Sequence, residues 1–212
     1  MKSLETIYLK KKLNNRICIA PMCQYSAYNG NPSKWHYFHL RKLMQAGAGL
    51  LMIESTAVSK RGMISKKDLS LRNKENFIKL KNLFNHLKKI SDTKIGIQLS
   101  HSGRKGSSAL PWIKSNSPLE KKFGWKTIGP SKIKRDEHWP YPKEASLKDL
   151  KKIKLDFIKS AIFAKKIKFD CLEIHMAHGY LLHQFFSPIS NKRKDKYGFN
   201  LKNRCRFLLE IA

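Results

Sequence analysis

Two histidines three residues apart, His175 and His178, are followed at once by a tyrosine, Tyr180, in the stretch CLEIHMAHGYLLHQ at residues 171–184. A pair of imidazole donors can grip an oxygen that gains negative charge during a reaction, and a phenol beside them can deliver a proton. Two other readings compete. In one, the histidines are polar residues satisfied within the fold. In the other, His175, His178 and His183 bind zinc; that site needs a defined third ligand and an open position, and no HExxH pattern accompanies it. Residue chemistry alone puts the donor pair with its phenol modestly ahead.

Such residues need elements to hold them. Cys171–Ile174 is a short apolar run that reads as a buried strand, and Gly179 permits the turn beyond it. Parallel strands in α/β proteins bind ligands at their carboxyl ends. The same pattern recurs upstream. Residues 16–20, closed by Pro21, read as a first strand with Cys23 and Tyr25 just past it. Residues 49–53 are a second, ending in Glu54, Ser55 and Thr56, and residues 94–99 a third, carrying Gln98 and followed by His101.

Helical patterns fall between these runs. Ser33 can cap a helix with Trp35, Leu40, Leu43 and Met44, which Gly47 can end. Residues 73–91 place Phe77, Leu80, Phe84 and Leu87 on one stripe. Ser146 and Asp149 form a capping-box start for a helix running to about Lys168, with Leu150, Ile153, Phe157 and Ala161 inward. Residues 200–212 begin a further helix, and Ile7, Tyr8, Leu9 and Leu13 suggest a small hairpin at the start. Residues 105–145 carry little periodicity and much Pro, Gly, Ser and Trp; they read as a folded excursion over one end of the strands.

Strand and helix alternate four times, and near-continuous apolar strands imply that both faces are covered. The expected fold is α/β, of the TIM (β/α)8-barrel type, with about the first four β/α units in one incomplete domain spanning residues 1–212. No GxGxxG follows the first strand, which disfavours a dinucleotide-binding Rossmann unit.

The 44 Lys and Arg against 15 Asp and Glu give a formal charge of +29, which first suggests nucleic acid or an anionic membrane. Lysine supplies most of that excess and is spread along the whole chain, whereas base and phosphate recognition favours arginine. A lysine-biased genome accounts for the pattern without any partner. The expectation is therefore no specific nucleic acid and no membrane, with no run near the ~20 apolar residues of a bilayer span. Cys18, Cys23, Cys171 and Cys205 form no CxxC pair and read as reduced thiols of a cytoplasmic protein; Cys18 and Cys171 are expected to be buried packing residues.

The strand ends resemble those of the Old Yellow Enzyme family of FMN-dependent ene-reductases and NADPH dehydrogenases. The segments that carry the resemblance are APMCQY at 20–25, IQLSHSGR at 97–104, EIHMAHGYLLHQF at 173–185 and SPISN at 187–191, the last continuing through Arg193, Asp195, Tyr197, Gly198, Asn203, Arg204, Arg206 and Phe207. Cys23 with Tyr25, and two histidines where some members have His and Asn, point to the thermophilic-like, xenobiotic-reductase-like branch.

The resemblance implies the following roles. Ala20, Pro21, Met22 and Cys23 line an FMN, and Ser55 and Gln98 hydrogen-bond its ring. His175 and His178 hold the substrate carbonyl, Tyr25 borders the substrate, and Tyr180 donates the proton. NADPH, or NADH, serves as reductant and an enone-like small molecule as acceptor; a homo-oligomer is compatible with it. His101 and Arg104 are read as loop braces, and His36, His39 and His183 as structural. Phe199 stands where the family usually has a second glycine after Gly198, and is strained if that position needs a positive φ. A barrel of this type has ~250 residues or more and its phosphate site after strands seven and eight, so the 212 residues alone are expected neither to hold FMN tightly nor to turn over. The competing hypotheses are a truncated, inactive fragment of such an enzyme and a basic protein that binds nucleic acid nonspecifically.

Overall fold

The computed structural model describes Glu5, Ile7–Tyr8 and residues 12–212. Ile7–Tyr8 (β1) pairs antiparallel with Lys12–Leu13 (β2), which is the expected hairpin; its Leu9 lies outside the described residues. The main sheet holds Cys18–Ile19 (β3), Leu50–Ala57 (β4), Lys94–Ser100 (β5) and, from further along the chain, Cys171–Ile174 (β8), in the order β3-β4-β5-β8 and parallel throughout. The helices Lys34–Met44 (α1), Lys74–Leu87 (α2) and Leu147–Ile167 (α3) are the crossovers between those strands.

Side-chain hydrogen bonds fix the register at the amino ends of the strands. Asn15 accepts from Gly49 N at 2.8 Å and donates to Gly47 O at 2.7 Å, joining the approach to β3 to the start of β4. Gly49 cannot be replaced cheaply, because a Cβ there would sit 2.2 Å from the Asn15 carbonyl oxygen. Asp170 accepts from Ile95 N at 3.0 Å and aligns β8 with β5.

One face of the sheet presents Leu51, Ile53, Ile95, Ile97 and Leu99 to Leu40 and Met44 of α1, Leu80, Phe84 and Leu87 of α2, and Leu150, Ile153 and Phe157 of α3, all buried. Each large side chain buried there contributes roughly 1.5–3 kcal/mol. Ser146 caps α3 as expected, accepting from Asp149 N, and Asn73 caps α2, accepting from Asn76 N. Of the apolar residues that α1 carries, Trp35 turns outward while Leu40 and Met44 are buried. Trp35 is 45% exposed, stacks on His39, and donates to Gln24 Oε1 at 3.0 Å.

The opposite face of the sheet is more polar than the apolar runs suggested. Alternation along the strands brings Met52, Gly96 and Cys171 together: a Cβ on Gly96 would lie 2.2 Å from the Met52 sulfur and 3.2 Å from Cys171 Cβ. Gln98 and Glu173 follow two residues on and pair through their side chains. Cys18 and Cys171 are exposed, contrary to the expected burial, and β8, expected to be a buried strand, is exposed from Cys171 to Glu173, because β3 and β8 are the outer strands of the sheet.

Three further elements were not expected from periodicity. Ile128–Gly129 (β6) and Lys143–Glu144 (β7) pair in parallel within the long excursion, and Leu181–Phe186 (α4) follows directly on Tyr180. The chain then forms Leu201–Ile211 (α5), capped by Asn200. Phe199 has φ +69 and is 79% exposed, so the strain expected at this family-glycine position is present.

Candidate active site

The segment after β3 is laid down by a buried carboxylate. Glu54, 4% exposed, accepts from Gln24 N at 3.0 Å and lies 3.7 Å from His36 Nε2. His36 Nδ1 accepts from Ser33 N at 3.0 Å, so the ring both caps α1 and directs its Nε2 side toward Glu54. This fixes the segment that leaves β3 through Ala20, Pro21, Met22 and Cys23 to Tyr25; Ala20 and Met22 are exposed and face α1 and Met52, and Cys23 and Tyr25 are partly buried. The Cys23 sulfur lies beside the Ser55 backbone, which acts to lower its pKa. Burial pushes the Cys23 thiol up to about 12, and the carboxylates of Asp68 and Glu54 add to the effect, so it is an uncharged thiol at neutral pH.

Gln98 and Ser55 are both buried, at 8% and 6% exposure. Gln98 gives its Nε2 to Glu173 Oε1, and Glu173 is its register partner on β8. Two residues later the chain reaches His175, whose N–H still bonds Leu99 O at 2.9 Å. The His175 ring is buried, and its Nδ1 accepts from Ala177 N at 3.1 Å. Burial, followed by the neighbouring His178, lowers its pKa to about 4. The ring is therefore neutral at pH 7 with its proton on Nε2, a donor.

His178 and Gly179 take φ +54 and +67, a left-handed turn that brings Tyr180 back toward His175. Ring centroids stand 5.0 Å apart for His175 and His178, 4.6 Å for His175 and Tyr180, and 6.5 Å for His178 and Tyr180. Burial raises the Tyr180 phenol above its ordinary value, with Cys23 and Tyr25 adding and Arg135 opposing. Tyr25, at φ +48, is raised to about 12 by burial and then by Cys23. Both phenols are protonated at neutral pH.

Gln184 holds the turn after β5 against the turn after β8. It accepts from Arg104 N at 3.1 Å and donates to Ser102 O at 3.2 Å and to Gly179 O at 2.7 Å. Gly103, at φ +62, is required beside it, since a Cβ there would lie 2.4 Å from Gln184 Oε1. His101 is buried, accepts from Gly103 N at 3.1 Å, and offers its carbonyl to Leu181 N at 2.9 Å, which is the bracing role expected of it. Arg104 braces too, donating to the carbonyls of Ile133 and Lys134. His183 Nδ1 accepts from Gly179 N at 2.9 Å.

The structure thus gathers Cys23, Tyr25, Ser55, Gln98, His175, His178 and Tyr180 at the carboxyl end of one parallel sheet. Sequence reasoning passed over four residues that support or border this site: Glu173, Asp68, Lys105 and Arg135. A larger cleft, about 720 Å³, lies between the start of α2 and α3 and is lined by Arg61, Arg72, His101 and Asp149; it contains none of the predicted site residues. Among the described residues no helix is long and apolar enough to cross a membrane.

Asp68 supports the loop beside Tyr25. It accepts from Ile64 N, Ser65 N and Ser65 Oγ, and burial lifts its carboxyl to about 7 against the pull of those bonds. The folded value exceeds the unfolded one, so the protonated native form is favoured. Stability from this group is fully present below about pH 4 and is lost as pH rises through about 7. Asp68→Asn is therefore expected to gain on the parent by about 3 kcal/mol between pH 5 and pH 8, at about 1.4 kcal/mol per pH unit up to about pH 7 and little beyond it. Urea midpoints at the two pH values measure it; an unchanged difference between parent and variant would contradict the shift.

A model of the NADH:flavin oxidoreductase / NADH oxidase family matches residues 6–212. The chain is 44% identical over 201 residues to an NADH:flavin oxidoreductase of Gibberella zeae, covering 93% of this chain and 48% of that protein. It is 40% identical over 215 residues to an NADPH dehydrogenase of Clostridium acetobutylicum, covering all of this chain and 58% of the relative. The chain thus spans about half the length of the curated relatives it matches. Among solved structures, morphinone reductase in complex with tetrahydroNAD superposes with a TM-score of 0.86 at 22% identity, over 100% of this chain and 59% of that one. An Old Yellow Enzyme from a Pichia species gives 0.85 at 24%, over 99% and 55%. These likenesses identify the four parallel β/α units as part of a TIM-barrel fold. From the match across nearly all of its residues, the chain belongs to the NADH:flavin oxidoreductase / NADH oxidase family.

Proposed function

We propose that this protein is an FMN-dependent NAD(P)H oxidoreductase that reduces activated C=C bonds of α,β-unsaturated carbonyl compounds. The observation that carries the reading is the state of the triad. A neutral His175 with its Nε2 proton free to donate packs against His178 and a protonated Tyr180, at the strand ends where Cys23, Ser55 and Gln98 converge.

The residues fit a flavin. Gln98 commits Nε2 to Glu173 and keeps Oε1 for another partner, Ser55 offers a hydroxyl, and Cys23 presents an uncharged thiol that does not repel an electron-rich ring. Bound FMN supplies hydride transfer between the nicotinamide and the alkene. The chain's own residues do the rest. His175 and His178 donate to the carbonyl oxygen of the acceptor and stabilise the charge that grows on it. Tyr180 gives its proton to the α-carbon, and the buried surroundings that hold its pKa up keep that proton in place until the carbanion demands it. Tyr25 bounds the acceptor on the side of the long excursion.

Titration with FMN, followed by assay with NADPH and 2-cyclohexenone, tests the reading in a barrel that carries the remaining strands found in the longer relatives. Saturable flavin binding and enone-dependent NADPH oxidation are expected. NADPH oxidation independent of added flavin and enone would overturn it.

A further inference from the structure

The long excursion after β5 closes a pocket of about 330 Å³ whose walls include Tyr25, His178 and Tyr180 on one side and Lys105, Asn116 and Arg135 on the other. Both cations are half-buried and fixed by uncharged groups. Lys105 Nζ donates to His178 O at 2.6 Å and stands 5.9 Å from the centre of the Tyr180 ring. The Arg135 guanidinium lies 4.4 Å over the Trp139 ring, which is itself buried, and donates to Asn116 Oδ1. Arg104 stands behind them, bonded to two carbonyls. Among the described residues none of the three forms an ion pair with a carboxylate.

This differs from the diffuse lysine excess of the chain. Surface lysines sit in water at little cost, whereas half-buried cations pay for lost hydration and repel one another. Burial lowers the pKa of Lys105, Arg104 and Arg135, and the nearby arginines depress Lys105 further. Arg135 in turn pulls down the Tyr25 and Tyr180 phenols, so its charge reaches the reacting end of the pocket. Neutral anchors hold the cations in place, and although the neighbouring Asp136 carboxylate acts on Arg135, no carboxylate stands within ion-pair distance of any of the three among the described residues. An anion seated between them would gain charge-assisted hydrogen bonds without having to displace a resident carboxylate.

We propose that this pocket is an anion subsite of the alkene-reducing site, and that the acceptor is an activated alkene that also bears a carboxylate or phosphate. Its carbonyl meets His175 and His178, and its anionic group lies between Lys105 and Arg135. The inference rests on the ene-reductase reading above and narrows it to a substrate class.

The experiment uses a matched pair: a 2-cyclohexenone carrying a carboxylate on a carbon remote from the alkene, and its methyl ester. The flavin-loaded protein is reduced with dithionite under anaerobic conditions, so that no nicotinamide is present, and reoxidation by each compound is followed. At low salt the carboxylate is expected to be preferred by about tenfold or more, the scale of one charge-assisted hydrogen bond. Arg135→Gln should bring the ratio near one, and Arg135→Lys should retain most of it. Equal use of carboxylate and ester by the parent overturns the proposal. A second arm compares NADPH with a neutral N-benzyl dihydronicotinamide as reductant. If Arg135→Gln impairs NADPH alone and leaves the acceptor ratio intact, the anion belongs to the reductant and the proposal fails. Calorimetric binding of the corresponding saturated ketones needs no turnover. A carboxylate preference there, lost in Arg135→Gln, supports the subsite even if neither enone is reduced, an outcome that would sink the ene-reductase reading instead.

Discussion

Tyr180→Phe is expected to slow reoxidation of the reduced protein by 2-cyclohexenone by ~10²-fold or more, the usual loss on removing a general acid, while reduction by NADPH keeps its rate. Only alkene reduction requires a proton at carbon. The phenol is suited to supply it: it is buried, its pKa is raised, and its ring stands 4.6 Å from His175, the donor for the carbonyl of the same acceptor. Phenylalanine preserves that packing and removes only the hydroxyl. Stopped-flow traces of the two half-reactions separate the effects. Equal slowing of both would show that Tyr180 shapes the site and does not act as the acid.

Gln184→Leu is expected to cost about 4 kcal/mol of stability, near the sum for one buried and two part-buried backbone groups left unpaired at roughly 1–3 kcal/mol each. Those groups are Arg104 N, Ser102 O and Gly179 O. Leucine has a similar volume, so lost packing contributes little. For a chain of this size the loss corresponds to a fall in Tm of about 10 °C. Because Gly179 precedes Tyr180, the variant should also lose order in the His178–Tyr180 turn. Denaturant unfolding measures the first effect; a loss below about 1 kcal/mol would show that water or neighbouring groups satisfy the three partners.

The candidate site was legible because its residues sit next to strand ends in the chain. β8 has the bounds that its apolar run suggests, and the caps of α2 and α3 fall at Asn73 and Ser146, where short polar side chains precede periodic apolar ones. What escaped the sequence depends on contacts across long separations. Lys105 meets His178 from 73 residues away, and Gln98 meets Glu173 from 75. Neither distance leaves a local pattern. β6 and β7 are two residues each, too short for alternation to show, and α4 is a helix of six residues read first as a chemical motif. β4 runs on through Glu54, Ser55 and Thr56 because tertiary burial overrides their polarity. The exposure of Cys18 and Cys171 was missed for the opposite reason: apolar neighbours in sequence say nothing about which strands lie at the outside of a sheet.

Whether electrons reach an alkene through a flavin at this site is decided most directly by reoxidation of the reduced protein. Protein loaded with FMN and reduced without oxygen should recover its oxidised flavin absorbance when mixed with 2-cyclohexenone, at a rate that saturates with enone, and should not respond to cyclohexanone. Reduced protein that is reoxidised by oxygen alone, with no response to the enone, would contradict the assignment of His175, His178 and Tyr180 to alkene reduction.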